Sequence, residues 1–253
     1  STPEWTAEAT RRSTAFFSSP NAVGLYLAPI AMLLVSGFFS NKKIRMISAL
    51  LLVLMLLALL FTKSEGAWIG LAAGLIVFIF FIGYKKIATA VVGAGLVFVI
   101  LTPSLRQSIS FQDKASYNRV LLWSYSWNYL SKTPSNFVLG TGLRQYYDKI
   151  QKPVHDVKKL ERLIYPHNIF LNFWTEIGLL GIISFIGIMI YLLYLANKIR
   201  KKDLFLGAAL VASLVVVVVH GLVDHPYFKN DLAFIFWIIS AIIINKYYTT
   251  HNT

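Results

Sequence analysis

His167 is the residue in this chain best placed to do chemistry. It sits in Pro166-His167-Asn168, where a polar stretch gives way to the apolar run Ile169-Phe170-Leu171-Asn172-Phe173-Trp174-Thr175-Glu176-Ile177-Gly178-Leu179-Leu180-Gly181. Histidine changes protonation near neutral pH, so a neutral ring at such a boundary can accept a proton from a substrate hydroxyl. Other polar groups also stand beside apolar runs. Arg11 and Arg12 precede the run opened by Pro20-Asn21, and His220 and Asp224 lie one turn apart at the end of another. Glu176 is deeper, about 12 Å along a helix from Asn168 at about 1.5 Å per residue. An ionisable group at the centre of a membrane helix costs roughly 2.5–3.5 kcal/mol on insertion scales. These residues therefore call for a functional explanation.

The pattern narrows the chemistry. No His-x-x-His, His-Glu-x-x-His or Asp-rich pair occurs, which argues against a metal site. There is no Gly-x-Ser-x-Gly elbow for serine hydrolysis. Ser135–Gly142 is a turn-rich break without a phosphate-loop lysine, so nucleotide binding is poorly supported. With no cysteine, disulfides and thiolate metal sites are ruled out. A histidine base with arginine cations remains. That set suits attack by a hydroxyl on a substrate whose leaving group is a diphosphate. The arginines would grip the diphosphate in bidentate fashion and stabilise its growing charge. The same residues are equally compatible with a histidine that caps a helix or rests at an interface. They also fit polar groups that simply collect at span ends.

The elements that must position these residues are membrane spans. The chain has 253 residues, of which 57% are hydrophobic and 14% charged, against about 25% charged in an ordinary soluble domain. Mean hydropathy is +0.63, and the apolar residues fall in long runs. Runs near 20–39, 45–62, 66–83, 87–102, 168–196, 204–222 and 229–247 predict about seven spans. The fourth is short and holds Gly93 and Gly95, which suggests tilt or partial re-entry. The expected class is all-α: a polytopic transmembrane helix bundle with one long extracytoplasmic loop containing helices. It divides into residues 1–102 (an outward N-terminal segment and four spans), 103–167 (the loop) and 168–253 (three spans). The absence of a starting methionine or signal pattern leads us to expect a piece of a longer membrane protein.

Loop charge sets the orientation. Lys42, Lys43 and Arg45, then Lys85 and Lys86, then Lys198, Arg200, Lys201 and Lys202, and finally Lys246 mark basic loops that should face the cytoplasm. The turns holding Lys63 with Glu65, and Asp224 with Lys229 and Asp231, are poorer in positive charge. They fall outward with residues 1–19 and the long loop. His167, Arg12, Arg119, His220 and Asp224 then share the outward boundary. Much of the net charge of +13 serves topology rather than nucleic acid, and the basic long loop suits an anionic substrate or lipid headgroups, or equally an ordinary solvated loop. Within the long loop, Ser116–Leu130 predicts a helix capped by Ser116. Leu122, Ser126 and Leu130 form one face, and Arg119, Trp123 and Trp127 another. The tryptophans suit the outer interface, with Arg119 aimed at the substrate zone. A simple packing helix fits the same pattern.

In order along the chain, Arg12 to Pro20-Asn21, Thr62-Lys63-Ser64-Glu65-Gly66-Ala67-Trp68, Asn118-Arg119 with Trp123, Gly140-Thr141-Gly142, His167-Asn168 with Glu176–Gly181, and His220-Gly221-Leu222-Val223-Asp224 before Phe228 and Asn230 resemble the motifs of the O-antigen ligase and polymerase family. The resemblance covers nearly the whole chain and suggests the C-terminal half of such a protein. It implies a metal-independent, cofactor-free, inverting glycan transfer on the outer face of the plasma (inner) membrane. The donor would be a glycan on undecaprenyl diphosphate. The acceptor would be a hydroxyl of a lipid, such as the core of a lipopolysaccharide, of another glycan or of a protein. His167 would be the base and Arg119 the diphosphate-holding cation. Arg12, Arg144, Asn168, His220 and Asp224 would bind substrate. Glu65 departs from the family, which often has arginine there, and leaves Arg12 or Lys63 to replace it. The main alternative is a flippase or other transporter of lipid-linked glycans, which would more often show discontinuous spans and midplane charges. A sensory protein that binds glycan without chemistry is a third reading.

Overall fold

Helices account for all the regular structure among the described residues, and no strand occurs among them. The computed structural model describes residues 11–17, 19–103, 106–107, 110, 114–153, 164–225 and 230–251. Among the described residues the main α-helices are α1 (Pro20–Ser36), α2 (Lys42–Thr62), α3 (Glu65–Phe81), α4 (Lys85–Leu101), α5 (Lys114–Leu130), α6 (Pro134–Leu139), α7 (Ile169–Ile177), α8 (Leu179–Lys202), α9 (Leu204–Gly221) and α10 (Asn230–His251), with a short 3-10 helix at Gly37–Phe39 and a π-helical turn at Tyr147–Gln151. Phe228 and Lys229, named above, lie outside the described residues.

Among the described residues, five helical stretches are long and apolar enough to cross a membrane: Pro20–Phe39, Lys42–Thr62, Leu179–Lys202, Leu204–Gly221 and Leu232–Thr250. The expected third and fourth spans are helices of 17 residues each. At about 1.5 Å per residue they reach about 25 Å, at the lower end of the range of about 17–25 residues that crosses a bilayer. The expected fifth span does not run unbroken from 168. Gly178 adopts φ +83 and divides it into α7 and α8. An apolar run reports burial or lipid contact, and it does not by itself report helix continuity.

The chain forms two compact units. The first comprises Ser1–Ala88, Leu192–His220 and Pro226–Thr253. Small side chains let its helices approach closely, the usual means of packing where lipid removes the hydrophobic drive. Ala28, Ala31 and Met32 of α1, Leu59 of α2, Ala67, Leu71 and Phe78 of α3, and Ala208, Ala209, Ala212 and Val216 of α9 form its core. A Cβ on Gly74 would stand 2.6 Å from the Val216 side chain. Ser213 adds an interhelical bond, donating to the Pro29 carbonyl at 2.9 Å.

The second unit comprises Thr89–Tyr191 and Gly221–His225. Its central helix is α5, whose Leu122, Ser126 and Leu130 are fully buried, as the sequence pattern predicts. Tyr146 packs on this face with its hydroxyl 3.1 Å from the Ser126 hydroxyl. Burial raises the Tyr146 phenol well above its usual range, with the Ser126 bond acting weakly against it. The helix begins earlier than expected, so Ser116 lies inside its first turn and is buried rather than capping it. Ser135–Gly142 is also more ordered than expected. Thr133 accepts the Asn136 N–H and caps α6, and the break is confined to Gly140 and Gly142, both at positive φ.

Candidate functional site

The turn that carries His167 is held from three sides. Trp123, on α5, donates its indole N–H to the Pro166 carbonyl at 2.9 Å. Asn168 caps α7, its Oδ1 accepting the N–H groups of Phe170 at 3.0 Å and Leu171 at 3.1 Å. The same amide donates through Nδ2 to the Leu222 carbonyl at 3.0 Å. These bonds fix the residues on either side of His167 and leave its own backbone at φ +50, a left-handed conformation uncommon outside glycine. A strained residue of this kind costs roughly 1–3 kcal/mol and persists where its surroundings over-determine it.

Opposite this turn is the end of the chain's closing motif, the run His220-Gly221-Leu222-Val223-Asp224. Asp224 Oδ1 lies 3.3 Å from His167 Nδ1 and 3.0 Å from His225 Nδ1. It also accepts the backbone N–H of His225 at 2.9 Å. Asp224 and His225 are buried, while His167 is partly exposed. Burial by itself would raise the Asp224 carboxyl. The bonds and charge offered by His167 and His225 outweigh it and hold the carboxyl well below the usual carboxylate range. The His225 ring rests against Tyr165 with centroids 4.1 Å apart and meets the His167 ring edge-on at 5.1 Å. One ligand-capable atom from each of His167, Asp224 and His225 lies within 4.8 Å of the other two.

Arg119 is half-buried on α5, one turn before Trp123 and so roughly 6 Å along the helix axis from the residue that holds the His167 turn. Its side chain makes no hydrogen bond or ion pair among the described residues. Arg144 is exposed and adopts φ +59, and its backbone N–H donates to Glu176 Oε2. Glu176 is thus used by the loop, at the end of α7, rather than deep in a span. Next to it the backbone contacts are tight. Thr141 N–H donates to the Thr175 carbonyl at 2.6 Å, and a Cβ on Gly140 would stand 2.4 Å from the same oxygen. A Cβ on Gly178 would stand 2.3 Å from the Val138 carbonyl.

Arg12 and His220 belong to the first unit. Arg12 donates Nε to the Thr62 carbonyl at 2.6 Å and Nη2 to Asn21 Oδ1 at 2.9 Å. It thereby satisfies an orphan carbonyl at the end of α2. With Arg11, Ala58 and Phe61 it lines an open cavity of about 810 Å³. Glu65 is exposed in the first turn of α3, where the helix dipole favours negative charge. His220 is buried in the last turn of α9, where a Cβ on Gly24 would stand 3.2 Å from its ring.

The structure therefore brings His167, Asn168 and Asp224 together and seats Arg119 on the helix that holds their turn. His225 and Tyr165 complete the cluster and were missed by sequence reasoning. The Asp224-His225 dipeptide was the available signal, but a search for metal or catalytic spacings within one segment cannot join it to a residue on another. A family model described as O-antigen ligase matches residues 50–186, just over half of the chain. That stretch holds Arg119, Arg144, His167 and Asn168 and leaves Arg12, His220 and Asp224 outside it. No curated protein matches the chain.

Proposed function

The chain belongs to the O-antigen ligase family of membrane glycosyltransferases that act in surface polysaccharide synthesis, and from that premise we propose a specific mechanism for it. It moves a glycan from an undecaprenyl-diphosphate donor to a hydroxyl acceptor, on the outward face of the plasma membrane. The observation that carries this reading is the His167–Asp224 pair. A carboxylate held anionic beside Nδ1 favours the tautomer with its proton there. That leaves Nε2 with its lone pair for the acceptor hydroxyl, and the imidazolium that forms is stabilised by Asp224.

In the transfer step Nε2 of His167 takes the acceptor proton as the acceptor oxygen attacks the anomeric carbon. The bond from that carbon to the diphosphate oxygen breaks, and its electron pair leaves with the diphosphate. Attack opposite the leaving group inverts the anomeric configuration. Arg119 is the first cation for the diphosphate, because its guanidinium is not spent on the described protein groups. Arg144 is a second, in the same unit. Arg12 and Arg11 supply charge to their cavity, but two of the Arg12 nitrogens are already engaged. Base and leaving-group stabiliser are both side chains in this reading, so the transfer is metal-independent. Burial of His220 beside Gly24 favours a packing role over the substrate contact expected from the sequence.

The test is His167→Ala in membranes supplied with lipid-linked donor. Transfer should fall by about 10²–10⁴-fold, the usual worth of general base catalysis, at normal membrane level and with donor binding retained. Unchanged transfer would exclude His167 as the base. Movement of donor between leaflets without a change in its mass would favour the transporter reading.

A further inference from the structure

The His167, Asp224 and His225 cluster has a second capability that the transfer reaction does not use. Two imidazole nitrogens from separate segments converge on one carboxylate oxygen, at 3.3 Å and 3.0 Å. In a tetrahedral zinc site the ligand atoms stand about 2.0–2.2 Å from the ion, which puts them about 3.4 Å from each other. The observed separations are close to that spacing, and all three ligand atoms fit within 4.8 Å. Two histidines and one carboxylate leave the fourth position open, the usual form of an accessible zinc site. Such a donor set suits zinc, cobalt, nickel or copper over magnesium or calcium, which prefer all-oxygen shells.

The surroundings support a built site. His225 and Asp224 are buried, which removes the competing hydration of two of the three donors. The backbone N–H of His225 orients the carboxylate, and Tyr165 covers the His225 ring. Outer contacts of this kind hold ligands in place. His167 is the partly exposed member and gives the ion its route of entry.

We propose that His167, Asp224 and His225 bind a divalent transition ion of the zinc class, and that the bound ion inhibits the protein. The inhibitory half rests on His167 acting as the base. Coordination through Nδ1 requires the other tautomer, so the ring proton moves from Nδ1 to Nε2 and the ligand stays a neutral imidazole. Nε2 then carries that proton and has no lone pair for the acceptor hydroxyl, and Nδ1 can no longer donate to the carboxylate. Metal binding and base catalysis are therefore alternative uses of one cluster.

The test uses the purified full chain in detergent, stripped of metal with a chelator and titrated with Co²⁺. One equivalent should bind and give the intense visible absorption of four-coordinate cobalt, which Zn²⁺ then displaces. His225→Ala should weaken Co²⁺ binding more than about 100-fold, since even outer-shell partners are worth about 10–100-fold. In the transfer assay, Zn²⁺ should inhibit the wild type reversibly, and the inhibition should be relieved by chelator. The His225→Ala variant should need at least about 100-fold more Zn²⁺ for the same inhibition, in line with its lost affinity. Absence of the four-coordinate spectrum, or the same Co²⁺ affinity in His225→Ala, would overturn the site. Cobalt binding with undiminished transfer would overturn the inhibitory role. Failure of the base reading is seen separately, as transfer by His167→Ala without any added metal.

Discussion

Asp224 stands 3.3 Å from Nδ1 of His167, although one belongs to the closing motif and the other to the mouth of α7. The pair gives the clearest prediction. Asp224→Asn keeps the side-chain shape but removes the charge that stabilises an imidazolium, and its amide can select the wrong histidine tautomer. Transfer should fall by about 10²–10⁴-fold, with membrane level close to normal. A rate assay on proteoliposomes with labelled lipid-linked donor measures it. A variant that transfers at the wild-type rate would remove Asp224 from the mechanism.

Trp123 acts at one remove. Its indole N–H holds the Pro166 carbonyl and so fixes the turn in which His167 sits at positive φ. Trp123→Phe keeps an aromatic ring and deletes the donor. A neutral hydrogen bond is worth about 0.5–1.5 kcal/mol, or roughly 2–12-fold. Transfer at saturating donor should drop within that range, with the His167→Ala background showing no further loss. An additional decrease in the double variant would mean that Trp123 touches substrate instead of positioning the base.

Much of this organisation could be read in the sequence. The buried stripe of α5 follows from apolar residues at helical spacing, and Leu122, Ser126 and Leu130 do line its inner face. Asn168 reads only as a substrate contact in the sequence, and the cap that its Oδ1 makes on α7 is visible only in the structure. What escaped was continuity and convergence. The run from Ile169 onward looks like one span, because hydropathy cannot see that Gly178 turns the backbone between two helices. His225 escaped because its partner His167 is distant in sequence, and no spacing rule connects them. Arg12 looked like a ligand for substrate, since nothing local shows that the Thr62 carbonyl and Asn21 claim its nitrogens.

Gly178 should tolerate no side chain. It combines φ +83 with ψ −168, a region open essentially to glycine alone, and a Cβ there would meet the Val138 carbonyl at 2.3 Å. Gly178→Ala should destabilise the protein by about 1–3 kcal/mol from backbone strain, with the clash adding to it. Gly187→Ala is the matched control, because no atom lies within 4 Å of its Cβ position and alanine is the better helix former. Thermal unfolding in detergent compares the two. Equal stability of both variants would contradict the close approach of α6 to the Gly178 turn.

Arg119 and Arg12 make opposite predictions because their guanidinium groups are differently employed. The Arg119 side chain has no partner among the described residues, so its donors remain for an anionic substrate. Two Arg12 nitrogens serve Thr62 and Asn21. Arg119→Gln should therefore reduce transfer at unchanged membrane level. A hydrogen bond to a charged group is worth about 1.5–3 kcal/mol, which corresponds to roughly 10–150-fold. Arg119→Lys should recover only part of this, since lysine keeps the charge but loses the planar fork that matches a phosphate. Arg12→Gln should act mainly on stability, because it leaves the Thr62 carbonyl without its partner. Transfer rates normalised to membrane protein, set beside unfolding temperatures, separate the two effects. If Arg12→Gln proved fully stable but inactive, the diphosphate would be assigned to the Arg11–Arg12 cavity instead of to Arg119.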